Sequence, residues 1–199
     1  TNYIYKEFSY ENKINVLYVH GYNGSGSGDT ATTIKRLLNA DRYNYISPQF
    51  SNRVGDIEQN IQQINDIIEK DKPSVVIGNS LGTFEVMNTK SGMYRILINP
   101  VFNPVTDSLQ PEIFDESFAA ISDRMSELAN SFNFDDETKH MTYGFFGADD
   151  DVVSCQAQFK DAFGADNITV FLGVGHRLFE PQLKVVVERI DWMFDRLNG

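Results

Sequence analysis

The chain alternates short apolar runs with longer segments whose apolar residues recur at helical spacing, and this alternation limits the possible folds more than any other feature. Four runs have the β-branched and aromatic character of strands that are buried on both faces. They are INVLYVH at 14–20, SVVIG at 74–78, YRILIN at 94–99 and ITVFLG at 168–173. Two weaker candidates are YNYISPQF at 43–50 and MTYGFFG at 141–147.

Helical patterns separate these runs. Asp29 and Ser154 are expected to cap two of the helices, and Gly164 is expected to end the second of them. The apolar helix faces are Ala31, Ile34, Leu37 and Leu38; Ile57, Ile61, Ile64, Ile67 and Ile68; Phe159, Ala162 and Phe163; and Leu183, Val186, Ile190, Met193, Phe194 and Leu197. Since alternating strands and helices imply right-handed crossovers, the sequence predicts an α/β fold of three layers. Its mostly parallel sheet has about six strands and carries helices on both faces.

One segment, 101–140, departs from the alternation because it contains no strand candidate. Its residues Phe114, Phe118, Ile121, Met125 and Leu128 recur at helical spacing. Two interpretations stay open: the stripe is part of the core, or the segment is a helical cap insertion that covers the carboxyl edge of the sheet. The length of 199 residues suits one core, so we expect a single domain over 1–199.

The charge balance limits the partners of the protein. A formal net charge of -11 repels nucleic-acid backbones and anionic lipid, so we expect neither nucleic acid nor a membrane as a partner. The first residues, TNYIYKEF, lack a basic region followed by an apolar run, and no stretch reaches the roughly 18 apolar residues of a membrane span. We therefore expect a cytoplasmic protein. The single cysteine, Cys155, is expected to be a small buried residue.

The stretch GNSLG, from Gly78 to Gly82, joins a predicted strand directly to a predicted helix. A G-x-S-x-G motif in this context forces its serine into a strained backbone conformation, with the hydroxyl exposed at the sheet edge. Glycines are needed on both sides because a β-carbon there would crowd the neighbouring strand or helix. Ser80 is therefore the candidate nucleophile.

A serine nucleophile needs a base, and the chain has three histidines. His140 precedes a strand at the other end of the sheet, and His20 begins a loop in which structural roles are commoner. His176 follows the last strand on the expected edge, which favours it as the base. The stretch GADDDVV offers Asp149, Asp150 and Asp151 as the acid that orients the base.

The oxyanion of an acyl-transfer reaction needs two N–H donors. The amide of Leu81 follows the nucleophile, and the amide of Tyr22 lies in the loop after the first clear strand. The glycines of this loop also suggest a phosphate site, but the loop lacks the lysine of G-x-x-x-x-G-K-[ST].

In the order HGYNG, GNSLG, GADDDVV and GVGH, these motifs resemble those of the α/β-hydrolase superfamily over essentially the whole chain. The small size, the YVHGYNGS at 18–25 and the INP at 98–100 more narrowly resemble small bacterial esterases of the YqiA type. The resemblance implies the three-layer α/β hydrolase fold. It also selects Asp150, because superfamily loops of the form G-x-x-D-x-x-V carry the catalytic Asp at that position.

The function implied by the resemblance is hydrolysis of a small-molecule carboxylic ester through an acyl-enzyme, with no metal and no organic cofactor. In that scheme Ser80 attacks, His176 relays the proton and Asp150 orients His176. The alternatives are thioester or amide cleavage on the same triad, or a catalytically silent hydrolase fold that binds a partner. Tyr22, Phe102 and Phe179 are the aromatic residues expected near an apolar acyl pocket.

Overall fold

A computed structural model describes residues 12–90, 92–132 and 134–195 of the chain. All six predicted strands are present, including the two weaker candidates. They are β1 (Ile14–Val19), β2 (Tyr43–Ile46), β3 (Val75–Asn79), β4 (Tyr94–Ile98), β5 (Thr142–Gly147) and β6 (Ile168–Phe171). The expectations for the first eight residues and for Leu197 lie outside the described residues.

The strands form one sheet in the order β2-β1-β3-β4-β5-β6, and every pair is parallel. The expected α/β fold with a parallel sheet is therefore confirmed. The chain runs from β1 outward to β2 and then returns to place β3 on the other side of β1. In such sheets ligands bind outside the carboxyl ends of the strands where the order reverses, which here lies between β1 and β3.

Helices cover both faces of the sheet. They are α1 (Asp29–Leu37), α2 (Ile57–Asp71), α3 (Leu81–Met87), α4 (Pro104–Asp107), α5 (Phe118–Asn130), α6 (Asp136–His140), α7 (Gln156–Phe163) and α8 (Glu180–Asp195). Alternate residues of β1 face opposite layers, as the two-residue period of a strand requires. Val16 and Tyr18 pack with residues of α1 and α8, whereas Leu17 and Val19 pack with residues of α2, α3 and α7.

Two predicted helix caps are wrong. Gly28 is the N-cap of α1, and Asp29 is its first helical residue. The carboxylate of Asp29 accepts a hydrogen bond from Arg177 at 2.7 Å instead. Cys155 takes the N-cap position of α7, because the preceding Ser154 is held outside the helix by its N–H, which donates to the Asp107 carbonyl.

Residues 104–130, here called the covering segment, run from α4 to the end of α5 and lie over the carboxyl edge of the sheet. The segment is attached at two places. The amides of Val54 and Gly55 donate to the side chains of Asp115 and Ser117, at 2.9 and 2.7 Å. On the other side, the Leu109 N–H donates to the Val152 carbonyl at 2.8 Å.

The apolar stripe of α5 belongs to the core. Met125 is fully buried in a cluster with Val54, Ile57, Leu81 and Phe84. The turn that precedes α5 instead reaches the carboxyl edge of the sheet, where its side chains line a cavity. Side chains of 101–140 therefore contribute both to a buried cluster and to the lining of that cavity.

Cys155 is buried, as its sequence context indicates. Within the described ranges, no helix combines the length and the apolar character that crossing a membrane requires.

Candidate active site

Ser80 lies at the turn from β3 into α3, in a conformation that non-glycine residues rarely adopt. Its φ of 55° and ψ of −121° put it in a strained region of backbone space. The surrounding structure holds the turn: the Ser80 N–H donates to the Ile98 carbonyl at 2.9 Å, and the Thr83 hydroxyl donates to the Ser80 carbonyl at 2.6 Å. The strain expected from the sequence is therefore present.

The glycines on either side of Ser80 are required by close packing. A β-carbon at Gly82 would lie 2.6 Å from the carbonyl oxygens of Val19 and His20, because α3 begins directly against the end of β1. At Gly78 a β-carbon would lie 2.9 Å from the Cα of Thr83. Both positions thus exclude any side chain unless strand and helix move apart.

His176 lies in the loop after β6 and is paired with Asp150 in the loop after β5. The imidazole Nδ1 is 2.9 Å from Oδ2 of Asp150, whose side chain is 8% exposed. The other carboxylate oxygen of Asp150 accepts the backbone N–H groups of Val152 and Val153, at 2.8 and 3.1 Å. This arrangement fixes the carboxylate and leaves the imidazole Nε2 for another partner.

Of the three consecutive aspartates, Asp150 is the one that contacts the imidazole. Asp149 and Asp151 are exposed. The Asp149 N–H donates to the Val174 carbonyl, and the Asp151 carbonyl accepts from the Gln110 side chain. The other two histidines lie elsewhere. His140 is exposed at the end of α6, before β5 begins.

His20 is buried and has a structural environment. Its Nδ1 donates to the Gly21 carbonyl at 2.8 Å, and its Nε2 accepts the Phe50 N–H at 2.9 Å. These two bonds fix a neutral tautomer, since one nitrogen donates and the other accepts. The ring therefore orients the loop that contains Tyr22.

The two residues expected to supply oxyanion donors, Tyr22 and Leu81, both line a cavity with Ser80. Leu81 is the first residue of α3, where helix geometry gives an N–H no acceptor within the helix. Among the described residues, the Tyr22 N–H likewise makes no backbone hydrogen bond of the turn, loop or cap type. The side chains of Tyr22 and Leu81 both line a cavity that Ser80 and His176 share.

Asn99 is a residue of the site that sequence reasoning did not single out. It follows β4, is fully buried and has a φ of 44°. Its side-chain amide donates to the carbonyl of His176, and its Oδ1 accepts the Gly147 N–H at 2.9 Å. Asn99 thus ties the loop of His176 to the loop of Asp150. The available signal was an amide side chain directly after a buried strand, in the INP that otherwise contributed only to the resemblance.

Gly147 brings the same two loops into contact. A β-carbon at this position would lie 1.9 Å from the Gly175 carbonyl oxygen. The loop of His176 can therefore pack against the end of β5 only because residue 147 has no side chain.

Two cavities meet at Ser80 and His176. The smaller, of about 200 Å³, is bounded by apolar side chains of Leu81, Val101, Ile113, Phe114, Val152 and Val153. We call it the apolar cavity. The larger, of about 400 Å³, has a mixed lining that includes both apolar surface and the polar side chains of Tyr18, Asn23, Ser25, Thr30, Asn79 and Arg177. We call it the polar cavity.

The aromatic residues expected at the acyl pocket are placed differently. Tyr22 lines the apolar cavity, where its ring makes an edge contact with Phe114 at 5.1 Å between centroids. Phe102 packs instead in an aromatic cluster with Phe159, on the face of the sheet that α7 covers. Phe179 is exposed and packs against the guanidinium of Arg177.

Glu85 is a buried carboxyl close to the site. It lies one turn after Leu81 on α3 and is 5% exposed. Burial raises the pKa of this carboxyl to about 8, and a hydrogen bond with Asn60 lowers it by less. In the described part of the chain, Oε2 of Glu85 has no hydrogen-bond partner. The folded protein therefore holds Glu85 largely protonated at neutral pH.

The family model described as uncharacterised protein family (UPF0227) matches residues 15–180 of the chain. No curated protein matches it in sequence. Solved structures similar to it share the α/β hydrolase fold. Mouse alpha/beta hydrolase domain-containing protein 10 is 14% identical with a TM-score of 0.66, over 94% of this chain and 91% of the mouse chain.

Two further solved structures are similar over most of their length. The monoacylglycerol lipase of Paleococcus ferrophilus is 17% identical with a TM-score of 0.62, over 88% of this chain and 93% of the lipase. The esterase domain of a Rhodothermus marinus protein is 15% identical with a TM-score of 0.60, over 92% of this chain and 86% of that domain. At these identities the similarity shows the three-layer α/β hydrolase fold.

Proposed function

This chain belongs to the uncharacterised protein family UPF0227, an α/β-hydrolase family, and we propose that it is a serine hydrolase that cleaves carboxylic esters. The observation that carries the proposal is the hydrogen bond between His176 and Asp150, beside a serine held at positive φ and lining the same two cavities as the imidazole. Nucleophile, orienting acid and base follow one another in the chain order of an α/β hydrolase.

In the first step the Ser80 hydroxyl attacks the ester carbonyl carbon while Nε2 of His176 takes its proton. Asp150 accepts the Nδ1–H of His176, which keeps Nε2 unprotonated before the attack and stabilises the imidazolium afterwards. The amides of Tyr22 and Leu81 donate to the oxyanion that forms. Loss of one such donor typically costs about 3 to 4 kcal/mol in the transition state.

In the second step the tetrahedral intermediate collapses. The bond to the alcohol oxygen breaks, His176 delivers the proton to that oxygen, and the acyl group stays on Ser80. Water then attacks the acyl-enzyme while Nε2 of His176 takes its proton. The bond between the acyl carbon and Ser80 Oγ breaks, His176 returns the proton to Oγ, and the carboxylic acid leaves. The residues of this chain supply every proton transfer in the scheme.

The solved structures named above agree with this reaction type. One is a monoacylglycerol lipase and another an esterase domain, and both names describe ester cleavage. A thioesterase or an amidase would use the same residues, so the relative rates on matched acyl derivatives decide between them.

The proposal is tested with short-chain p-nitrophenyl esters. Ser80→Ala should lower turnover on the order of a millionfold, because the triad acts as a unit. Ser74→Ala is a matched control, since Ser74 precedes the same strand at its opposite end, and it should retain wild-type turnover. Equal rates for wild type and Ser80→Ala would overturn the proposal.

A silent binding protein is distinguished by covalent labelling. A fluorophosphonate should label wild-type Ser80, as seen by mass spectrometry of the modified peptide, and labelling should be lost in His176→Ala. A folded wild-type protein that takes no label would favour the binding role.

A further inference from the structure

We propose that the substrate is an ester of a short apolar acyl group with a neutral, polyhydroxylated alcohol such as glycerol or a sugar. This inference rests on the proposed function and assigns the two halves of the substrate to the two cavities. Ser80 and His176 line both, so an ester carbon bound at Ser80 extends its acyl group into one cavity and its alcohol into the other.

The apolar cavity suits a short hydrocarbon chain. Apart from Ser80 and His176, its walls come mainly from aliphatic and aromatic residues of α3, the loop after β5 and the covering segment. With about 200 Å³ of space, it has room for about six groups of the size of a water molecule or a methylene. Each methylene buried there should raise kcat/KM about fourfold until the cavity is full.

The polar cavity presents hydroxyl and amide groups that are held in place. The Tyr18 hydroxyl accepts a hydrogen bond from the Asn79 amide at 3.1 Å and is also hydrogen bonded to Thr30. Burial raises the pKa of Tyr18 to about 12, so this phenol is neutral at physiological pH. Fixed neutral donors and acceptors of this kind recognise hydroxyl groups.

The charges at the polar cavity compensate each other. Its guanidinium, Arg177, lies 2.7 Å from the carboxylate of Asp29, which lines the same cavity. Among the described residues that line this cavity, a phosphorylated alcohol or coenzyme A would find no lysine or arginine without a carboxylate partner, and the net charge of -11 repels it further. The chemistry therefore favours a neutral alcohol.

The order of the reaction steps decides which cavity holds which group. After the alcohol leaves, water must reach the acyl carbon beside His176. A vacated polar cavity admits that water, whereas an acyl chain in the apolar cavity stays covered. In the reverse placement the vacated space would be the apolar cavity, which is the less favourable of the two for the attacking water.

The test compares three esters and a thioester, of which glycerol 1-butanoate and n-butyl glycerate are isomers of the same size. Glycerol 1-butanoate, ethyl butanoate, n-butyl glycerate and butanoyl-CoA are assayed with wild type and Ser80→Ala, and each kcat/KM is divided by the rate of alkaline hydrolysis of that ester. We expect glycerol 1-butanoate to exceed ethyl butanoate about tenfold, as two or so hydrogen bonds would produce. It should also exceed n-butyl glycerate and butanoyl-CoA.

Thr30→Val removes one hydroxyl from the polar cavity. We expect it to lower the ratio of the glycerol ester to the ethyl ester about threefold to tenfold. Thr32→Val is the matched control, because Thr32 lies on the same helix, is exposed and donates to the Gly28 carbonyl. It should leave the ratio at its wild-type value.

The outcomes separate the two proposals. Turnover that does not depend on Ser80 would overturn the proposed function and this inference with it. Ser80-dependent turnover with equal normalised rates for glycerol and ethyl esters, or a ratio unmoved by Thr30→Val, would overturn the inference alone. Preference for n-butyl glycerate, which would reverse the placement, or for butanoyl-CoA, whose leaving group is an anionic thiol, would also overturn the inference.

Discussion

At the scale of single residues, the side chains proposed to carry the chemistry lie in recognisable motifs, whereas the residue proposed to position them does not. Ser80 and His176 stand out because their motifs place them at strand ends, and Asp150 is the member of its triplet that contacts the imidazole. Asn99 was missed because its role depends on two loops that meet only in the folded sheet. No local pattern distinguishes such a residue from an ordinary buried amide.

Asn99 provides a prediction at this scale. Asn99→Ala removes both of its side-chain hydrogen bonds, so the loops of His176 and Asp150 should lose their mutual alignment. We expect kcat for a p-nitrophenyl ester to fall about tenfold to a hundredfold with little change in KM. Asn88→Ala, directly after α3, is the control for loss of a half-buried amide, which donates to the Phe84 carbonyl. A folded Asn99→Ala protein with unchanged kcat would remove Asn99 from the positioning role.

At the scale of elements, the strands and the apolar faces of the helices were predictable because period and residue type determine them locally. The helix caps were not. Asp29 and Ser154 have suitable side chains. However, the Asp29 carboxylate is hydrogen bonded to Arg177, and the Ser154 N–H is hydrogen bonded to the Asp107 carbonyl. The contribution of a polar residue at a helix start depends on such tertiary partners.

The contact between α3 and β1 leads to a prediction for Gly82. Helix propensity alone makes Gly82→Ala favourable by about 1 kcal/mol. The β-carbon, however, would lie 2.6 Å from two carbonyl oxygens, and overpacking of this kind typically costs about 1 to 3 kcal/mol. We expect the clash to dominate, so urea unfolding should show a lower free energy of unfolding and ester turnover should fall.

Gly28→Ala is the control for this prediction, because its β-carbon would meet its nearest neighbour at an ordinary 3.4 Å. Since Gly28 is the N-cap of α1, where alanine is less favourable than glycine, the variant's free energy of unfolding should decrease, but by less than that of Gly82→Ala. Equal stability of Gly82→Ala and wild type would mean that α3 is free to shift away from β1.

At the scale of the whole molecule, alternation predicted a parallel sheet, but the strand order required the structure. Sequence shows which segments form strands, while pairing of β3 with β1 depends on how buried surfaces fit together. The two cavities were unpredictable for a similar reason, since the covering segment reaches Ser80 from residues more than twenty positions away.

Stability of the whole protein should depend on pH through Glu85. The folded-state pKa of about 8 lies above the ordinary value of 4.5 for this carboxyl, so folding takes up a proton between these pH values. The contribution of this carboxyl is favourable below pH 4.5 and is lost as the pH rises to about 8. We expect Glu85→Gln to gain stability relative to wild type by a few kcal/mol between pH 5 and pH 9.

Thermal or urea unfolding of both proteins at several pH values measures this difference. Glu188→Gln, an exposed substitution on α8, should follow the wild-type pH dependence. Parallel curves for wild type and Glu85→Gln would show that the Glu85 carboxyl titrates equally in the folded and unfolded states.

The backbone conformation of Ser80 opposes stability of the fold to the catalytic role proposed for this residue. A residue held at a φ of 55° costs the fold on the order of 1 to 3 kcal/mol, which neighbouring contacts must offset. Glycine at this position would remove that cost and raise the free energy of unfolding, but it would also remove the hydroxyl of the proposed nucleophile. Selection for stability alone would therefore favour glycine at position 80. Retention of the serine among related proteins would indicate selection for catalysis.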